Sequence, residues 1–165
     1  MAATIRPYEP GDLGRLATAN VAYHATEWGF PGAFFEAKIA AGMAAFLETL
    51  EGPGNGWWSA ELDDAYVGGI VIDGNNPNAA RLRWFILSEK ARGQGIGRAL
   101  LDTAMQHCRA QAFPLVFLST FRGLDKARSL YERAGFRLVD EKENTTWGTP
   151  KSEQRFEWTP EDSAP

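Results

Sequence analysis

The chain has 165 residues, enough for one domain with a sizeable core, and its 44% hydrophobic and 23% charged residues are those of an ordinary globular protein. A net charge of −4 provides no overall field to attract nucleic acid or an anionic membrane, so any anion site must be a local patch. The single cysteine, Cys108, excludes an internal disulfide, and no run of about eighteen apolar residues is present to span a membrane.

The opening "MAATIRPYEP" holds no apolar signal region, and with one lone thiol the expected setting is a reducing cytoplasm. "TIRPY" reads as a short strand ended by "EPGD". Asp12 is placed to cap a helix from Leu13, along which Leu16, Ala17 and Val21 recur at helical spacing. "WGFPG" breaks it. Phe35, Ile39, Met43, Phe46 and Leu50 then mark a second helix, stopped by "EGPGNG". "WWSAEL" and "YVGGIVI" form a hairpin around "DDA", and "ARLRWFILS" is a further strand in which Trp84 and Phe85 alternate to opposite faces. The stretch "ARGQGIGRALL" follows. It opens a helix with Leu100, Leu101, Ala104, Met105 and Cys108 on its apolar side, where Cys108 reads as a small buried hydrophobe rather than a nucleophile. "PLVFLST" is a continuous apolar run that suits a buried parallel strand. "LDKARSLYERAG" is a helix with Gly135 as its stop, and "FRLVDEKE" and "EQRFEW" are the last strands. The order is β-α-α-β-β-β-α-β-α-β-β, a mixed α/β sheet. One domain covers residues 1–158, and "TPEDSAP" (159–165) is a flexible tail.

Strand, glycine turn and helix start together make an anion site. The first helical N–H groups lack internal partners, the dipole adds positive charge, and glycine leaves no Cβ to hold a phosphate away. The spacing excludes two familiar loops. A dinucleotide fingerprint starting at Gly93 or Gly95 would end on Arg98 or Leu100, and G-x-x-x-x-G-K-[ST] is absent.

R-x-x-G-x-G, as Arg92, Gly95 and Gly97, does fit, and it resembles the pyrophosphate loop of the GNAT superfamily of acyl-CoA-dependent N-acetyltransferases. "RWFILSEKARGQGIGRALLDTA" resembles that family's strand, loop and helix, and "ARSLYERAGFRLV" its second signature. The element order matches as well. The implied fold is α/β (α+β), with a mostly antiparallel central sheet flanked by helices. "GDLGRL", "YHATEWGF", "LRWF" and "WGTPKSEQRFEW" are further similar to acetyltransferase domains fused to MarR-type regulators. The acetyltransferase pattern uses all 165 residues, so no DNA-binding domain is expected among them and no regulatory role is carried over.

The resemblance implies acetyl-CoA as co-substrate. The backbone of Phe85, Ile86 and Leu87 would pair with its pantetheine arm, and an N–H near Leu87 would polarise the thioester carbonyl. Arg92, Gly93, Gln94, Gly95, Ile96 and Gly97, with Arg98 and Ala99 opening the helix, would hold the pyrophosphate. Tyr131 takes the family's general-acid position, against the plain alternative of a core aromatic. Many relatives carry asparagine seven residues earlier. Here that place is Leu124, beside Asp125, which reads as a helix cap.

For the proton lost by the amine, the candidates are Glu27, His24 and Glu61, with Glu27 preferred and His24 read as a packed core group. Trp28 and Trp147, each beside glycine, are candidates to line an acceptor pocket. His24 and His107 have no Cys/His cluster around them, so no metal site is expected. The leading expectation is acetyl transfer to a primary amine of a small molecule or peptide in a ternary complex. The alternative is a non-catalytic acyl-CoA-binding sensor or scaffold. No nucleic-acid or membrane partner is expected, and a homodimer is compatible with a domain of this size.

Overall fold

The computed structural model describes residues 3–29, 32–145 and 150–163, with side chains except those of 25–28 and 162–163. Strands and helices follow in the expected order: β1 (Ala3–Pro7), α1 (Asp12–Trp28), α2 (Gly32–Leu47), β2 (Gly56–Leu62), β3 (Ala65–Asp73), β4 (Ala80–Leu87), α3 (Ile96–Ala110), β5 (Val116–Phe121), α4 (Asp125–Arg133), β6 (Arg137–Asn144) and β7 (Lys151–Trp158). The strands form a sheet in the order β1-β2-β3-β4-β5-β7-β6. Every neighbouring pair is antiparallel except β4 with β5. The apolar run of β5 is therefore parallel on one side only. The β2–β3 hairpin turns through Asp63 and Asp64 at φ 51° and 65°, the paired positive φ that matches sheet twist in a two-residue turn.

The period-two alternation of the strands divides the core between two faces. Ile70, Ile72, Leu82 and Leu118 pack with Leu100, Leu101, Ala104, Met105 and Cys108 of α3 and Tyr131 of α4. Val71, Trp57 and Ile86 pack on the other face with Leu16 of α1 and Phe35, Ile39, Met43 and Phe46 of α2. Cys108 is fully buried as expected, and burial pushes its thiol up to about 12, so it stays protonated.

The structure corrects the expectation for Asp12. The residue at the N-cap is Gly11, at φ 102°, and Asp12 is the first residue of α1 and caps nothing. Its carboxylate is fully buried. It accepts bonds from Arg6 Nη1 and Nη2 at 2.8 and 3.1 Å, Arg15 Nη1 at 2.9 Å, Ser59 Oγ at 2.9 Å and the Glu9 N–H at 2.9 Å. A buried charge needs such partners, and this one ties α1 to β1 and β2. One helix end also differs from expectation. α2 stops at Leu47, where the Thr49 hydroxyl donates to the Phe46 carbonyl at 2.8 Å, yet Leu50 still packs on the α1–α2 core. The tail begins with a 3-10 turn over Pro160–Ser163.

Candidate active site

β4 and β5 pair at only two positions, Ala80 with Val116 and Arg81 with Phe117. Beyond them the strands separate and leave one edge of β4 facing a cleft of about 910 Å³. The other edge of β4 stays on β3, with a slip in register. Gly69 faces Ile86 and Val71 faces Arg83, so Trp84 and Phe85 together oppose Ile70. This is a β-bulge, and Trp84 sits in it at φ 54°, a left-handed conformation that a bulky side chain adopts only when its surroundings enforce it. The surroundings are visible. The Trp84 ring lies 6.3 Å from Phe46 and 6.4 Å from Trp57 on the α1–α2 face, and Asn20 Nδ2 donates to its carbonyl at 3.4 Å. Phe85 turns to the opposite face, 6.1 Å from Tyr131. The expected split of Trp84 and Phe85 across the sheet therefore holds, with the bulge as an unexpected part of it.

The separated strand leads into the glycine loop. Gly93 and Gly95 have φ 76° and 80°, and a Cβ on either would meet nothing within 4 Å. They are glycines because of backbone conformation, and the space above them is open. Gly95 is the N-cap of α3, and the first helical bond runs from the Ala99 N–H to its carbonyl at 3.0 Å. The N–H groups of Ile96, Gly97 and Arg98 therefore have no intrahelical partner. Arg92, Gly93, Gly95, Gly97 and Arg98 line the cleft together with Phe85, Ile86 and Leu87. Gln94 and Ala99 are exposed and lie outside the lining, and the Ile96 side chain is buried in the α3 core. The Arg92 guanidinium stands 5.2 Å from the Tyr23 ring centre and within 3.5 Å of the Leu87 carbonyl. Arg98 is solvent-exposed, 3.9 Å from Asp102.

Tyr131 lines the same cleft from α4. Its ring packs on Phe85, Phe136 and Phe156, and burial drives its phenol pKa well above the ordinary value. A phenol in that position keeps its proton at neutral pH. Leu124 and Asp125 line the cleft where α4 begins. Asp125 is the first helical residue and its side chain makes no cap bond, contrary to the expected role.

On the α1–α2 side the cleft is lined by Asn20, Tyr23, His24, Phe35 and Ile39. His24 is packed, as expected, against Tyr23 and Phe35. Burial lowers its pKa to about 4, so its imidazole is neutral at pH 7. Residue 27 follows three positions later in α1. The side chains of Glu27 and Trp28, and all of Trp147, lie outside the described residues. Glu61 is removed from the cleft: it accepts from Arg6 Nε at 3.1 Å, beside Asp12.

Sequence reasoning missed the bulge, the strand separation and two arginines, Arg81 and Arg83, that line the cleft. The only trace of the bulge is in the pattern of β4. "ARLR" alternates strictly and "WFIL" does not, and the change falls at Trp84.

Fold and cleft together define a class, and the comparisons agree with it. The chain belongs to the acetyltransferase (GNAT) family, whose model matches residues 21–136. It is 30% identical over 91 residues to the uncharacterized N-acetyltransferase YjgM of Escherichia coli (strain K12), covering 53% of this chain and 54% of that protein. It is 32% identical over 99 residues to human N-acetyltransferase 8B, covering 57% and 44%. The chain thus spans about half the length of the curated relatives it matches. Among solved structures, a GNAT-family acetyltransferase of Staphylococcus aureus Mu50 superposes with a TM-score of 0.76 at 18% identity, covering 96% of this chain and 99% of that one. The yncA protein of Salmonella typhimurium, solved with its cofactor acetyl-CoA, superposes with a TM-score of 0.73 at 15% identity, covering 96% and 94%. At these identities the structural likeness is one of fold.

Proposed function

We propose that this chain is an N-acetyltransferase that moves an acetyl group from acetyl-CoA to a primary amine of a small molecule or peptide, by direct attack in a ternary complex. The observation that carries this is the separated edge of β4. A strand edge without a neighbour is a template for another extended chain, here the pantetheine arm, and it leads straight to the open N-terminus of α3. The donor set fits a pyrophosphate: three free helical N–H groups, two glycines with open space above them, and Arg92.

Acetyl-CoA supplies an activated thioester; the chain supplies position and protons. Backbone of Phe85, Ile86 and Leu87 orients the arm, and an N–H near Leu87 stabilises charge on the carbonyl oxygen. As the amine nitrogen bonds to the carbonyl carbon, the carbon–sulfur bond breaks, and Tyr131 gives its proton to the leaving thiolate. The amine's proton passes through water to the last turns of α1. Glu27 is the assigned acceptor. His24 is the second choice, favoured by one observation, its neutral imidazole at the cleft wall.

This proposal includes a cytoplasmic setting and no nucleic-acid or membrane partner. A homodimer is the assembly to test. The narrower likeness to acetyltransferase domains fused to MarR-type regulators stays within the same proposal, without any regulatory role. Leu124, in the place of a cofactor-contacting asparagine, favours the alternative of a non-catalytic CoA-binding module. One assay separates the two: release of free thiol from acetyl-CoA with a panel of amines, amino acids and peptides. Amine-dependent release supports the enzyme. CoA-induced thermal stabilisation without amine-dependent release supports the module.

A further inference from the structure

Arg81 and Arg83 stand two apart on β4, and Leu82 between them is buried in the core on the α3 side. Both arginines therefore face the α1–α2 side of the cleft. α2 passes close over this place, since a Cβ on Gly42 would come within 3.3 Å of Arg83 Nη2 and 3.1 Å of the Trp84 ring.

Three arginines and three carboxylates meet here, but the direct pairings leave Arg81 out. Arg83 reaches Asp73 at 3.4 Å, and Arg155 on β7 is paired with Glu157 at 2.9 Å. Arg81 makes no ion pair and no side-chain hydrogen bond among the described residues, and its Nε is buried without a partner. Its guanidinium lies 5.8 Å from the Phe117 ring, which Arg155 approaches from 4.0 Å. Asp73 and Glu153 act on Arg81 only through space, and Arg155 opposes them. A half-buried guanidinium with open donors, lining a cleft, is costly unless an anion completes it. Its planar fork matches a carboxylate.

Arg81 stands about 10 Å along the strand from the bulge of Trp84 and Phe85, where the Phe85 ring lies 6.1 Å from Tyr131. Between the two the wall is formed by Phe35, Ile39 and Trp84, with the Arg83 guanidinium 4.0 Å from the Trp84 ring centre. We infer that the acceptor is an amino acid with an apolar side chain, and that Arg81, backed by Arg83, binds its carboxylate while its amine points to the bulge. This inference rests on the proposed acetyl transfer and deepens it.

The test compares matched acceptors with acetyl-CoA: L-phenylalanine with phenethylamine and phenylalaninamide, and L-leucine with isopentylamine. A C-terminal free peptide and its amide form one further arm. The expected result is a kcat/KM about tenfold to a hundredfold higher for the carboxylates, the range of one charge-assisted contact. Arg81→Gln should remove that preference, so that each carboxylate is used no better than its matched amine, while Arg81→Lys should keep part of it. If phenethylamine and L-phenylalanine are used equally well by the wild type, the inference is overturned and acetyl transfer stands. If no amine is acetylated, the enzyme proposal fails, and binding decides the inference separately. N-acetyl-L-phenylalanine with CoA should then raise the melting temperature more than its amide does, and Arg81→Gln should abolish the difference. Equal stabilisation by acid and amide, or none by either, would overturn it.

Discussion

The Phe136 N–H donates to the carbonyl of Tyr131 at 3.0 Å, and the two rings meet edge to face at 6.0 Å. This pair closes the end of α4. The Gly135 N–H donates to the Glu132 carbonyl at 3.1 Å, and Gly135 holds φ 103°. The two crossed bonds and the apolar contact form a Schellman motif, with Gly135 in the left-handed position it requires. The "LYERAGF" stretch thus has a physical meaning. Glycine ends the helix so that the phenylalanine turns back and fixes the tyrosine at the cleft wall.

Tyr131→Phe keeps the ring and its packing and removes only the proton donor. Turnover should fall by about 10²–10⁴, the usual contribution of a positioned acid, while acetyl-CoA affinity stays nearly unchanged. Steady-state kinetics beside calorimetric titration check this. A large loss of affinity would make the tyrosine structural.

Gly135→Ala places a Cβ at φ 103°. It should cost about 1–2 kcal/mol of stability from the left-handed penalty alone. Turnover should fall as well, because the same turn aims Tyr131. Urea denaturation and kcat measured on one preparation test whether the two losses occur together.

Asp12→Ala removes the main partner of Arg6 in β1, which is partly buried and keeps Glu61 at 3.1 Å, and should destabilise the fold by about 1–3 kcal/mol. Hydrogen bonds from Arg6, Glu9 N–H, Ser59 and Arg15 outweigh desolvation and hold the Asp12 pKa below its ordinary value. A lowered carboxylate pKa gives stability that is present above about pH 4 and lost as pH falls through the folded value. Urea midpoints of the wild type should drop steeply below pH 4, and those of Asp12→Ala should drop less.

His24 adds a second, milder acid dependence. Its pKa falls from an ordinary 6.5 to about 4 through burial, so its contribution is present above pH 6.5 and declines as pH falls toward 4. Melting temperatures should decrease from pH 6.5 downward, and His24→Phe should flatten that slope. An unchanged slope in the variant would place the titration elsewhere.

The sequence made much of this legible, for identifiable reasons. The element order follows from apolar periodicity, and the glycines of the α3 loop announce a positive-φ turn at a helix start. Tyr131 is found because Gly135 and Phe136 follow it at fixed spacing. The separation of β4 from β5 leaves no local mark, since it depends on where two distant strands stop pairing. The bulge is equally hidden, because tryptophan at φ 54° is held by Phe46, Trp57 and Asn20 from other elements. Asp12 misled because a helix-start aspartate looks the same in sequence whether it caps or is buried, and only the contacts with Arg6 and Ser59 decide. Arg81 and Arg83 resemble the solvent face of an ordinary strand until the cleft is seen beside them.

Hydrogen–deuterium exchange with and without acetyl-CoA tests the central claim most directly, because it reads the backbone said to bind the donor. Acetyl-CoA should slow exchange along β4 at residues 82–87 and at the start of α3, residues 93–98, and leave β6 unchanged. Exchange in both segments unaffected by saturating acetyl-CoA would contradict the account.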